Sequence, residues 1–157
     1  MFRSHANVRA EATSAAGAVV TYTSPVTTDA VDGRGVATCL PASGSTFALG
    51  NTTVKCTATD AHGNPATPRT FVVKVVDTMA PVIASHANVR VRATGGRGAV
   101  VPYTTPTTTD AVDGAGVATC VPASGSLFAP GDTTVTCTAT DAHGNVATPT
   151  TFVVHVG

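Results

Sequence analysis

The stretch TTVKCTATDAHGN, residues 52–64, shows the clearest structural pattern in the chain. Its first eight residues alternate around Val54 and Cys56, which is the period of a half-buried β-strand. Its last five residues include Asp, Gly and Asn. Asp and Asn bond their own backbone and Gly accepts a positive φ, so these residues favour turns. The stretch therefore predicts a strand that ends in a tight turn.

The same stretch returns as TTVTCTATDAHGN at residues 133–145, an offset of 81 residues. That offset also carries SHANVR, residues 4–9, and TTDAVDG, residues 27–33, onto identical copies without a gap. Self-similarity at a fixed period indicates tandem modules. We predict domains at 1–76 and 85–157, with residues 77–84 forming a short Pro-containing linker and the start of the next repeat.

Further strands are predicted in the first module at residues 7–12, 18–23, 35–39 and 71–76. These runs are short and rich in Val and Thr, whose branched side chains suit a pleated sheet. No segment sustains a helical period, and Gly, Pro, Asn and Asp separate the runs. Strands at this spacing within an 81-residue period indicate an all-β fold, a small β-sandwich in each copy.

The composition excludes several classes of function. Charged residues make up 11% of the chain, and nine basic side chains balance nine acidic ones. Zero net charge removes the electrostatic case for nucleic acid or an anionic membrane surface. No apolar run approaches the roughly 20 residues of a membrane helix. We therefore expect neither nucleic-acid binding nor membrane insertion.

The four cysteines form two equally spaced pairs, Cys39 with Cys56 and Cys120 with Cys137. One pair per module predicts one intradomain disulfide in each copy, which would stabilise a small module by roughly 3 kcal/mol. A zinc site and a pair of free buried thiols are the alternatives. The sequence lacks the C-x2-C spacing of zinc sites and offers one nearby histidine per copy, so the disulfide is favoured.

Several motifs occur in the same order in both copies. A Val-Ala-Thr-Cys run is followed by Ser-Gly-Ser-x-Phe and then by Cys-Thr-Ala-Thr-Asp-Ala-His-Gly-Asn, within residues 4–76 and again within 85–157. This order resembles the hyalin repeat (HYR) domain family. The resemblance implies two tandem immunoglobulin-like β-sandwich domains, of an extracellular type associated with cell adhesion and matrix. It also implies that the modules have no enzymatic activity of their own.

The turn after the strand at residues 52–59 concentrates polar side chains in each copy. We interpret it as a strand-connecting turn; an exposed histidine that contacts a metal ion or a partner is the alternative. The residues concerned are Asp60, His62 and Asn64, with Asp141, His143 and Asn145 in the second copy.

A second loop places Asp29 and Asp32 beside Gly33, and the second copy repeats this with Asp110 and Asp113. Calcium binds several oxygen ligands, so two carboxylates with nearby carbonyl groups form a weak candidate calcium site. The spacing of an EF-hand is absent, and a loop whose Asp side chains bond local amides is favoured. Apart from this weak calcium candidate, no cofactor is expected.

Two further motifs have little support. Ser43-Gly44-Ser45 lacks the Gly-x-Ser-x-Gly pattern of a nucleophilic serine, so catalysis is not expected. Asn51 begins an Asn-Thr-Thr glycosylation signal. The second copy has Asp132 at this position, so a chance match in a Thr-rich chain is the competing explanation.

These observations favour a structural or adhesive repeat segment of a secreted or cell-surface protein. The copies begin and end at different points of the period, so we expect a longer array that forms a stiff stalk or an extracellular fibre. Its partners would be other copies of the repeat, and sparse charge at strand edges favours self-association. The alternative is a carbohydrate- or protein-binding accessory module of a larger extracellular enzyme. Carbohydrate binding would need an exposed aromatic platform, for which Tyr22, Phe47 and Phe71 are the available residues.

Overall fold

The computed structural model describes all residues from 1 to 157. The chain forms 17 short β-strands and no helix, and it therefore contains no helix that could cross a membrane. It divides into two compact units, Met1–Asp77 and Thr78–Gly157. This all-β architecture confirms the fold class predicted from the repeat.

The first unit contains eight strands: β1 (Val8–Glu11), β2 (Ala18–Val20), β3 (Val26–Asp29), β4 (Gly33–Val36), β5 (Thr38–Leu40), β6 (Ser45–Phe47), β7 (Gly50–Thr57) and β8 (Arg69–Val76). The main sheet has the order β1-β8-β7-β5. Strand β1 runs parallel to β8, while the β8–β7 and β7–β5 pairs are antiparallel. Strands β2 and β6 form a second pair, and β3 and β4 form a hairpin.

The second unit repeats this arrangement with one extra strand: β9 (Val82–Ile83), β10 (Val89–Val91), β11 (Ala99–Val101), β12 (Thr107–Asp110), β13 (Gly114–Val117), β14 (Thr119–Val121), β15 (Ser126–Phe128), β16 (Gly131–Thr138) and β17 (Thr150–Val156). The main sheet has the order β10-β17-β16-β14. The extra strand, β9, pairs with β12. In the first unit the equivalent contact is a single bridge between Phe2 and Thr27.

The core lies between the main sheet and the smaller strand pair of each unit. In the second unit, Val101 from β11 and Phe128 from β15 share one buried cluster with Val135 from β16 and Val154 from β17. Side chains alternate along each strand, so Val135 and Cys137 of β16 point into this cluster while Thr134 and Thr136 are exposed. Inward-facing apolar residues of the alternating strands therefore fill the space between the two layers, as the sequence predicts.

Each predicted disulfide is present. Cys39 bonds Cys56, and Cys120 bonds Cys137. The two cysteines of a pair lie opposite each other on neighbouring strands of the main sheet, β5 with β7 and β14 with β16. The bond therefore links two adjacent strands within one sheet, and its sulfur atoms are buried in the core.

One predicted strand is divided in the structure. Residues 35–39 belong to two strands, β4 and β5, which are separated at Ala37. The amide of Ala37 donates to the carbonyl of Pro25 at 3.0 Å, and its small side chain is buried. The chain leaves the β3–β4 hairpin at Ala37 and enters the main sheet at β5.

Candidate functional site

Two loops that the sequence separates by 30 residues lie next to each other in the first unit. One connects β3 to β4; it follows Asp29, the last residue of β3, and contains Asp32. The other follows β7 and contains Asp60 and His62. Nδ1 of His62 lies 3.1 Å from Oδ2 of Asp32. Both loops line a cleft of about 310 Å³. The polar motifs that the sequence suggested separately thus form one site.

The carboxylate of Asp60 organises its own turn. Its Oδ1 accepts the amide hydrogens of His62 at 2.9 Å and Asn64 at 2.8 Å, and its Oδ2 accepts from Nδ2 of Asn64 at 2.8 Å. The side-chain bond from Asn64, followed by the Asn64 amide, lowers the pKa of Asp60 below its usual value. The carboxylate is therefore ionised at neutral pH and holds His62 at the surface.

The carboxylate of Asp29 forms a similar turn in the other loop. Its Oδ1 accepts the amide hydrogens of Val31 at 2.8 Å and Asp32 at 3.1 Å. These two amides, that of Asp32 first, lower the pKa of Asp29. Asp29 thus faces its own backbone, whereas Asp32 faces His62. Binding of calcium by this predicted pair stays a prediction.

The second unit repeats these contacts. Asp110 accepts the amide hydrogens of Val112 at 2.7 Å and Asp113 at 2.9 Å. Oδ2 of Asp113 lies 3.1 Å from Nδ1 of His143. Asp141 accepts the amides of His143 and Asn145, and Nδ2 of Asn145. The repeated sequence therefore forms the same Asp–amide and His–Asp contacts in both units.

The possible glycosylation residue lies on the main sheet. Asn51 is exposed on β7, opposite Lys74 of β8. Asp132 holds the equivalent position in the second unit, where it bonds the ring of His155. An exposed side chain meets the first requirement for modification, and glycosylation of Asn51 stays a prediction.

An aromatic cluster in each unit was missed by the sequence interpretation. His5 stacks on Phe71 with ring centroids 4.0 Å apart, and Tyr22 meets Phe71 edge-on at 5.0 Å. His86, Tyr103 and Phe152 repeat the cluster. The identical SHANVR motifs were the available signal, but only the fold brings their histidines to the distant aromatic residues. Phe47 and Phe71 are buried, so they provide no exposed platform for a sugar.

Comparison with known proteins agrees with the family resemblance of the sequence motifs. The HYR domain family matches the chain twice, at residues 3–75 and 76–156. The chain is 37% identical over 141 residues to hyalin of Strongylocentrotus purpuratus, an alignment that covers 88% of this chain and 12% of that protein. It is 35% identical over 137 residues to hyalin of Lytechinus variegatus, covering 85% of this chain and 26% of the relative. The chain thus spans a minor part of the length of these relatives.

Proposed function

The chain belongs to the HYR domain family of extracellular adhesion-type modules, and we propose that it is a structural segment that associates with copies of itself. The family consists of adhesion modules rather than enzymes. Assembly into a stalk or fibre would explain why one sandwich is repeated with its turns and core intact. One observation carries the proposal: the main sheet of each unit ends in an uncharged strand.

The two edges of the main sheet differ in charge. The edge strand β1 contains Arg9 and Glu11, and charged side chains discourage pairing with another sheet. The opposite edge strand, β5, reads Thr-Cys-Leu and carries no charge. Its Leu40 side chain is 68% exposed. Strand β5 is therefore the edge that offers unpaired backbone groups together with an apolar contact.

The second unit presents the same edge. Its strand β14 reads Thr-Cys-Val, and Val121 is 68% exposed, as Leu40 is in the first unit. Val36 and Val117, just before these strands, are also exposed. A recurring apolar edge favours lateral contacts at regular intervals along an array. Support for a stiff stalk comes from the sequence alone. Pro81 lies in the segment between the modules and fixes one backbone dihedral there.

Sedimentation velocity with negative-stain microscopy of the whole chain tests the association. We expect oligomers that grow with protein concentration, and we expect the double variant Leu40→Lys/Val121→Lys to remain monomeric. The matched control is Val19→Lys/Val100→Lys, which adds the same charges at exposed valines of β2 and β11. The control should still associate. Monomers of the wild-type chain at every concentration would contradict the proposal.

A further inference from the structure

We propose that the first unit binds a divalent transition metal ion, of which Zn²⁺ is the representative, between Asp32, Asp60 and His62. One ligand-type atom from each of these side chains lies within 4.8 Å of the other two. Asp32 lies in the loop after β3, whereas Asp60 and His62 lie in the loop after β7. The metal ion would therefore link the two loops. The site is independent of the edge strand β5 on which the proposed association rests.

The distance between the first two ligands matches a metal site. Tetrahedral zinc with bonds of about 2.0 Å separates neighbouring ligand atoms by about 3.3 Å. Nδ1 of His62 and Oδ2 of Asp32 lie 3.1 Å apart. A metal ion bound to both atoms would replace the proton that they share. The imidazole and the carboxylate would then keep nearly their present separation.

Asp60 can supply the third ligand without losing its turn. Its Oδ1 accepts two backbone amides, whereas its Oδ2 accepts one hydrogen from Asn64. A carboxylate oxygen has two lone pairs, so Oδ2 retains one for a metal ion. The His62 side chain is 64% exposed, which leaves it free to close the remaining distance. Three protein ligands would leave one position open to water.

The donor set favours a transition metal over calcium. Imidazole nitrogen suits Zn²⁺, Cu²⁺ and Ni²⁺, whereas Ca²⁺ takes six to eight oxygen ligands. Two carboxylates also supply the negative charge that a divalent ion requires. Arg34 lines the same cleft, and its positive charge opposes binding. The second unit has Ala115 at the position equivalent to Arg34.

Isothermal titration of the whole chain with ZnCl₂, together with NMR of the histidine rings, tests the site. The His143→Ala background removes the equivalent histidine of the second unit. In that background we expect Zn²⁺ to perturb the ring resonances of His62, and we expect Asp32→Asn or His62→Ala to weaken binding by about tenfold or more. Arg34→Ala should strengthen binding several-fold, because it removes the opposing charge.

Asp29→Asn is the matched control. It removes the same charge as Asp32→Asn from the same loop, but its remaining oxygen can still accept the amides of Val31 and Asp32. Binding should change by less than about twofold. Equal loss in Asp29→Asn and Asp32→Asn would mean that only net charge attracts the ion. That result, or no shift of the His62 ring at saturating Zn²⁺, would overturn the proposal.

A separate calcium titration distinguishes this site from the calcium site that the sequence predicts at Asp29 and Asp32. Titration with CaCl₂ should give weaker binding than Zn²⁺ and should leave the His62 ring unperturbed. Tighter binding of calcium that is abolished by Asp29→Asn would assign the loop to the oxygen-only site instead, and would overturn the proposal of a transition metal. Circular dichroism of each variant verifies that the sandwich remains folded.

Discussion

Val54 and Val135 hold equivalent positions in the two units, and both are completely buried. Val31 and Val112 are also equivalent and lie in identical DAVDG stretches, yet Val31 is 81% exposed and Val112 only 6%. This central strand position is thus buried equally in the two copies, whereas a loop position of the same sequence is not. Close packing fixes the environment of a core residue. The exposure of a loop residue depends instead on which parts of the folded chain lie beside it.

The units also differ where the sequence has diverged on the sheet surface. Asn51 faces Lys74 in the first unit, and Asp132 faces His155 at the same rung of the second. Such pairs on an exposed face contribute little to stability. The copies have therefore changed at this exposed pair, where packing does not constrain them. Three pairs of variants and one pH comparison test how far the equivalence of the two units extends.

The largest expected effect comes from the buried phenylalanines. Phe47→Ala and Phe128→Ala should each destabilise their own unit by about 3–5 kcal/mol, because each leaves a cavity in the core. Hydrogen exchange measured by mass spectrometry on the whole chain reports the free energy of opening of each unit. Equal losses in the free energy of opening would support equivalent cores. A difference above about 1.5 kcal/mol between the two units would show that their cores differ.

The disulfides come next. Cys39→Ser/Cys56→Ser and Cys120→Ser/Cys137→Ser should each cost about 3 kcal/mol, since the loops they close have the same length. Urea denaturation followed by tyrosine fluorescence measures the loss, with intact mass under non-reducing conditions as the control for bond formation. A unit that loses no stability without its bond would show that its packing alone suffices.

Two glycines sharpen the comparison at a smaller scale. Gly17 and Gly98 have φ angles of 106° and 110°, and an added Cβ would collide with the backbone oxygen of Phe47 or Phe128. Ala at either position should cost about 1–3 kcal/mol from the dihedral alone, with the collision adding to it. Gly63→Ala, where a Cβ meets open space, is the control and should cost less when the three variants are compared by thermal unfolding.

The smallest effect concerns pH. Because hydrogen bonds lower the pKa of Asp60 in the folded state, the ionised form stabilises the first unit above the unfolded pKa. That contribution should be lost as pH falls below the ordinary value of 3.8. The thermal midpoint of the wild type should therefore exceed that of Asp60→Asn at neutral pH and converge with it in acid. Parallel curves over the whole range would show that Asp60 does not carry this dependence.

Much of the fold could be predicted from sequence because its signals are local or recur at a fixed offset. The alternation in residues 52–59 gave the central strand, and the 81-residue offset gave two modules. Equal cysteine spacing gave the disulfides. The short strands β3, β6 and β9 were not predicted, because runs of two to four residues are too short to show the period of a strand.

The candidate site was predicted only in parts. Asp32 and His62 were each identified within their own loops, but their contact was not, since 30 residues of chain separate them. The predicted calcium pair, Asp29 and Asp32, also divides in the structure: one carboxylate bonds its own backbone and the other meets His62. Residues close together in the sequence were enough to predict the two turns. The contact between Asp32 and His62 forms only because the fold brings the two loops together.

The number of modules, the strand period, the turns and the cysteine pairing could be predicted from the amino-acid sequence alone. Each follows from side-chain alternation, from backbone preference or from the repeat at a fixed offset. The folded structure was needed to show which loops meet, that the chain changes layers at Ala37, and that identical valines at positions 31 and 112 differ in exposure. The physical reason is that burial and contact depend on residues distant along the chain, and identical local sequences carry no information about those residues.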